Sequence, residues 1–161
     1  MESVGKSKIV FLDVDGVLNS EVFFTSAPKE ERETMMDSKA VKLLNQLEGA
    51  MVVISSSWGE DAINVLRDKG LELPILGCTK HIHYKFDWAC RGNEIEEWLT
   101  RTYGGLGSKF GDNYPNEEYE YVILDDDSDM LLGQVNHFIH IDRYYGLTQE
   151  NIDQAKKILK I

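Results

Sequence analysis

Cysteine, proline and positive charge are all scarce in this 161-residue chain, and each scarcity removes a class of function. Cys78 and Cys90 are the only cysteines. That is too few for the disulfide framework that staples small secreted domains, and the pair reads as reduced thiols. Three prolines leave no proline-rich linker, and no low-complexity segment or internal repeat is present. Seventeen basic residues face 28 acidic ones, a net charge of -11. Such a balance opposes nonspecific attachment to nucleic acid or anionic membrane, although a local basic patch would still permit either. No apolar run approaches the roughly 18 residues of a membrane helix. The opening MESVGKSKIVFLDVDG has too short an apolar segment for a signal peptide. The expectation is a cytoplasmic protein with no membrane partner, built as one domain over residues 1–161.

What is present is a series of short, β-branched apolar runs: IVFLD (9–13), MVVIS (51–55), LPILG (73–77), YVILD (121–125) and HFIHI (137–141). Near-continuous apolar runs of this length read as strands covered on both faces. Helical patterns lie between them. Ala40, Leu43, Leu44 and Leu47 follow an Asp37-Ser38 cap and precede Gly49; Ala62, Val65 and Leu66 precede Gly70. Ile95, Trp98, Leu99 and Tyr103 precede Gly104-Gly105, and Ile152, Ala155 and Leu159 follow Thr148. The stretches 25–33 and 104–118 lack periodicity and read as loops. Alternating strands and helices predict an α/β fold, a Rossmann-like, doubly wound parallel sheet of about five strands.

Ligands of such sheets bind beyond the carboxyl ends of the strands. There the sequence places Asp13, the run Ser55-Ser56-Ser57, and Asp125-Asp126. The second of the acidic stretches, DDDSD (125–129), puts four carboxylates within five positions. Two unit charges 4 Å apart repel by about 4 kcal/mol at an effective dielectric near 20. The run therefore wants a cation, a protonated member, or side chains splayed into water. Asp13 and Asp15, two apart, would point the same way in extended chain, and Gly16 allows a sharp turn with backbone close to a ligand. Together these acids make a hard, all-oxygen set suited to Mg²⁺. An EF-hand fails: counted from Asp13 the fifth position is Val17, and counted from Asp125 the sixth is Met130 and the twelfth Asn136. GGLGSK (104–109) does not fit a P-loop, and no GxSxG is present.

FLDVDGVLN after a short strand, an apolar strand ending in Ser, a later Arg opening a helix and a strand ending in Asp-Asp together resemble the four motifs of the haloacid dehalogenase (HAD) superfamily, over residues 8 to about 142. More narrowly, SSSW, RGNEIEEWL, VILDDD and HFIHIDRYYGLT resemble the small HAD modules of Swiss-Army-knife RNA repair proteins. The resemblance implies a Mg²⁺-dependent phosphatase in which Asp13 is the nucleophile that forms an aspartyl-phosphate. Asp15 would protonate the leaving oxygen and then help activate water, with its backbone carbonyl on the metal. Ser55 would bond a phosphoryl oxygen, with Ser56 the alternative one register away. Arg91 would neutralise charge where the family more often has Lys. Asp126 would be a direct metal ligand, with Asp125 beside it. The specificity-giving cap of the family has little room here, since about 18 residues separate Asn19 from Ser38.

Other readings stay open. Arg91 would equally pair with Glu94 or Glu97, Asp127 and Asp129 read as solvent-facing or helix N-terminal acids, and Trp58 and Trp98 read as core. The stretch CTKHIHYKFDWACR (78–91) carries Lys80, Lys85 and Arg91 against Asp87, with His81 and His83 among aromatics. It would suit a phosphorylated base or a nucleic-acid end, or be a surface loop with its rings tucked inward. A binding module without catalysis, or a phosphotransferase, would use the same residues.

Overall fold

The computed structural model describes residues 5–84, 87–103 and 118–161. In chain order the elements are β1 (Ser7–Leu12), α1 (Glu21–Ser26), α2 (Lys29–Arg32), α3 (Ser38–Leu44), β2 (Ala50–Ile54), α4 (Asp61–Asp68) and β3 (Ile75–Cys78). They continue with β4 (His83–Tyr84), β5 (Asp87–Trp88), α5 (Arg91–Tyr103), β6 (Tyr119–Asp125), a 3-10 turn over Leu132–His137, β7 (Phe138–His140) and α6 (Gln149–Leu159). Five strands form one sheet in the order β3-β2-β1-β6-β7, each neighbouring pair parallel. Among the described residues no helix is long and apolar enough to cross a membrane.

The apolar runs have no polar alternation because helices cover both faces of the sheet. Val10, Leu12, Val52, Ile54, Val122 and Leu124 pack with Val41 and Leu44 of α3, Leu66 of α4 and Ile152, Ala155 and Leu159 of α6. On the other face Ile9, Phe11, Val53, Tyr121 and Ile123 pack with Ile95, Trp98 and Leu99 of α5. Trp98 meets Phe11 edge-on at a centroid distance of 5.4 Å. Each such side chain, fully buried, contributes about 1.5–3 kcal/mol. That exceeds anything intrinsic propensity supplies, so the sheet is held by its own filling.

Helix ends follow the chain's local chemistry. Thr148 and Asn151 cap α6 reciprocally: Asn151 N–H donates to Thr148 Oγ1 and Thr148 N–H to Asn151 Oδ1. The α4 helix ends in a Schellman motif, Leu71 N–H donating to Leu66 O at 2.9 Å and Gly70 N–H to Arg67 O at 3.0 Å, with Gly70 at φ +97°. The α3 helix stops at Leu44, before the predicted glycine, because Asn45 turns its side chain outward. Its Nδ2 donates to Gly70 O and its Oδ1 accepts from Glu72 N–H, both at 2.8 Å.

The loop expected at 25–33 is instead the end of α1 and the whole of α2. Each is too short to show a helical period; α1 is fixed by a Ser20 cap that accepts from Phe23 N–H and by burial of Phe23 alone. These two helices, of six and four residues, are what lies between β1 and α3 in place of a larger cap. Within 78–91 the chain forms the antiparallel pair β4–β5. Lys85 lies outside the described residues, as do the 104–117 part of the second expected loop, the Gly104-Gly105 helix stop and the GGLGSK segment.

Candidate active site

The central strands run out of sheet together. Leu12 is in register with Ile54 on one side and Leu124 on the other. One further rung follows: Ser55 N–H donates to Leu12 O at 2.8 Å, and Asp13 N–H to Leu124 O at 3.0 Å. Asp13 thus stands between Ser55 and Asp125, all three buried, on the α5 face of the sheet that Phe11, Val53 and Ile123 share.

From that face α5 presents Arg91. The helix start is anchored where the acidic run continues: Asp129 Oδ2 accepts from Arg91 N–H at 2.8 Å and Asp129 O from Gly92 N–H at 3.2 Å. Gly92 packs so close that a Cβ there would lie 2.5 Å from Leu131 N. Arg91 Nη1 donates to the buried Glu94 Oε2 at 2.7 Å, and its Nε lies 3.8 Å from Asp125 Oδ2. Arg91 therefore both pairs on its own helix and leans toward the acids. Glu94 Oε1 accepts from Ile82 N–H at 3.1 Å and lies 3.4 Å from His81 Nδ1, tying the 78–91 stretch to the same helix.

Carboxylate oxygens of Asp13, Asp125 and Asp126 lie within 4.8 Å of one another. Burial, and then the neighbouring Asp125, push the Asp13 carboxyl up to about 8, against the opposing pull of the Val14 backbone, Arg91 and Ser56. Burial also raises Asp125, to about 7, opposed by the Asp127 N–H and by Arg91. Three hard oxygen ligands, two of them pushed toward the protonated form by burial that Arg91 only partly offsets, would suit a hard divalent cation of the Mg²⁺ kind. Of the remaining acids, Asp127 and Asp129 are exposed, the second capping α5.

The Asp126 side chain is held from outside: Arg143 donates to Oδ2 through Nη2 at 2.7 Å and Nε at 3.0 Å. Gly16, at φ +76°, is packed beneath it, and a Cβ there would lie 2.2 Å from that same Oδ2. Gly16→Ala should therefore cost about 1–2 kcal/mol in left-handed backbone strain and displace Asp126. Expected is a lower melting temperature with a roughly tenfold or greater loss of Mg²⁺ affinity by calorimetry, in line with the usual cost of disturbing a ligand's support. An unchanged affinity would remove Asp126 from the metal set.

Asp15 is exposed and separate from the three-carboxylate group. Asn19 Nδ2 donates to its Oδ1 at 2.8 Å while Asn19 Oδ1 accepts from Gly16 N–H at 2.8 Å. Trp58 Nε1 lies 3.2 Å from both of its oxygens. Trp58 also packs on the core, so its reading as a core residue captures half of what it does, whereas Trp98 is buried in it. The two serines divide: Ser56 Oγ accepts from Trp58 N–H at 3.3 Å and lies near enough to Asp13 to ease its ionisation, while Ser55 Oγ is buried with no partner. Lys80 is exposed just past β3 and makes no described contact with the group. Among the described residues no histidine or cysteine joins a metal-ligating group.

Asn19, Trp58, Glu94 and Arg143 were not assigned to the site by sequence. Asn19 and Arg143 both lie within motifs that were singled out, FLDVDGVLN and HFIHIDRYYGLT, but nothing in those strings says which acid each side chain meets. A family model described as the HAD domain in Swiss Army Knife RNA repair proteins matches residues 9–152. No curated protein and no solved structure matches the chain.

Proposed function

The chain belongs to the family of HAD domains in Swiss Army Knife RNA repair proteins, and from that premise we propose that it is a Mg²⁺-dependent phosphatase acting through an aspartyl-phosphate. Its substrate is a terminal phosphate of a nucleotide or nucleic acid. Family membership points to phosphatase-type hydrolysis; the finer reading rests on one observation, the buried Asp13 carboxylate in reach of two further carboxylates and beside an unpartnered Ser55 hydroxyl.

In this reading an Asp13 oxygen attacks phosphorus and the bond to the leaving oxygen breaks, with Asp15 delivering a proton to that oxygen. Asp15 then takes a proton from water as the water attacks the aspartyl-phosphate, which releases phosphate and restores Asp13. Ser55 Oγ and Arg91 hold phosphoryl oxygens as charge shifts onto them. Asp13, Asp125 and Asp126 would hold the ion, with the Asp15 carbonyl as a further ligand. When bound, the cation supplies neutralisation between an anionic nucleophile and an anionic substrate. With only two short helices between β1 and α3, the strand ends suit the end of a polymer as well as a small nucleotide.

The test is phosphate release from an aryl phosphate, from nucleotides and from 5′- and 3′-phosphorylated RNA and DNA oligonucleotides, with Mg²⁺ and with EDTA. Turnover with Mg²⁺ should fall to background with EDTA and return on adding Mg²⁺ back. Equal turnover in both conditions overturns the metal-dependent mechanism. Tight binding of phosphorylated ends without turnover of any substrate makes the chain a binding module instead.

A further inference from the structure

The SSSW segment after β2 reaches both acids of the loop after β1. Ser56 neighbours Asp13 and eases its ionisation, and two residues on, the Trp58 indole meets Asp15 with its Nε1 equidistant, at 3.2 Å, from the two carboxylate oxygens. We propose that Trp58 is a positioning residue for Asp15, holding that carboxylate in place for the proton transfer to the leaving oxygen; this rests on the phosphatase reading above.

Exposure makes such a device necessary. A carboxylate at the surface rotates among rotamers unless something restrains it, and a misplaced proton donor transfers poorly. Asn19 gives one restraint, but it lies only four residues along, in the same turn, and moves with that turn. Trp58 comes from another strand end, 43 positions away in sequence, and its ring is half-buried against the core. It therefore locks the Asp15 loop to the segment carrying the two serines. An ionised carboxylate has about four acceptor positions, so two such donors leave room for the proton to be taken up and given away. An indole serving packing alone would have no need to aim its N–H at a carboxylate beside the nucleophile.

Trp58→Phe keeps most of the packing and removes the N–H, and Trp58→His restores a ring N–H donor. Both are to be assayed in the full chain with phosphate esters of graded leaving groups, folding being checked by thermal melting. General acid catalysis contributes 10²–10⁴-fold. Loosening the acid should therefore lower kcat about tenfold or more for nucleoside and oligonucleotide phosphates with KM within about twofold. With dinitrophenyl phosphate, whose leaving group needs no proton, the burst rate of Asp13 phosphorylation should stay within about twofold of wild type even where steady-state turnover falls with the hydrolysis step that Asp15 also serves, and Trp58→His should recover part of the loss. Burst rates that fall equally for all leaving groups, or for none, overturn the positioning role while wild-type turnover keeps the phosphatase reading intact. Wild-type inactivity on every ester overturns that reading and this role with it. A readout without turnover is the indole N–H signal in a nitrogen-proton NMR spectrum. Asp15→Ala should shift one of the chain's three tryptophan indole signals strongly, the one that Trp58→Phe removes, and an unmoved signal overturns the contact.

Discussion

Asp13→Asn should lower phosphate release by about 10⁴–10⁶-fold, the cost of removing a nucleophile on which every later step depends. The exchange is close to isosteric and the residue is buried, so the fold should survive. It removes the attacking charge and at the same time a ligand of the three-oxygen group. The two losses separate on measurement. Mg²⁺ affinity, read by calorimetry, should fall about tenfold or more yet stay measurable because Asp125 and Asp126 remain, whereas turnover at saturating Mg²⁺ should not recover. Asp15→Asn should behave differently: it should harm esters with poor leaving groups most and leave burst formation of a phosphorylated Asp13 detectable by mass spectrometry with an activated ester. Recovery of more than about one per cent of turnover by Asp13→Asn at high Mg²⁺ would assign the attack to another group, such as water.

The sequence carried the frame of this site because strand ends in a covered parallel sheet are written in composition. An apolar run must stop where its faces stop being covered, and polar residues at that point face the crevice. Asp13, Ser55 and Asp125 were legible for this reason, and the register Leu12 with Ile54 and Leu124 sets them side by side. What was not legible are contacts made by long side chains between loops. Arg143 bonds Asp126 because β7 pairs beside β6, and Trp58 bonds Asp15 because β2 pairs beside β1; neither residue differs in its local string from a surface arginine or a core tryptophan. Asp129 reads from sequence as a solvent-facing or helix N-terminal acid and is both, but the helix it caps begins 38 residues before it, which no local string reveals. Short elements were missed for a separate reason. One turn of helix such as α2 buries no side chain, so it leaves no period to read.

Metal-free protein should lose stability as pH rises from 5 to 8, and Mg²⁺ should restore it mainly at the upper end. Asp13 rises in the fold from 3.8 to about 8, and Asp125 from 3.8 to about 7. Below about pH 4 both carboxyls are protonated in both states and have no effect on the slope. Above it the unfolded chain releases the protons while the fold keeps them, so the folded state binds more protons and stability falls with pH, by up to about 1.36 kcal/mol per unit for each proton retained. The fall ends as pH passes the folded values near 7 and 8. Glu31 and Glu120 act in the opposite sense, their carboxyls being lowered from 4.5, but their stabilisation is lost below that value and so outside the window. The Cys78 thiol, raised from 9.0, acts only above it. A net loss of several kcal/mol between pH 5 and 8 corresponds to on the order of 10 °C or more in melting temperature for a chain of this size. Because a cation displaces those protons, 10 mM Mg²⁺ should raise the melting temperature several degrees more at pH 8 than at pH 5. Asp125→Asn should flatten the metal-free pH profile and raise stability at pH 8, since it deletes a buried charge that Arg91, already bonded to Glu94, only partly offsets, while weakening the response to Mg²⁺. General repulsion among the 28 acidic residues would give a slope that Asp125→Asn leaves unchanged. A flat metal-free profile in wild type, or a Mg²⁺ shift equal at both pH values, would show that the buried carboxyls are not what the ion replaces.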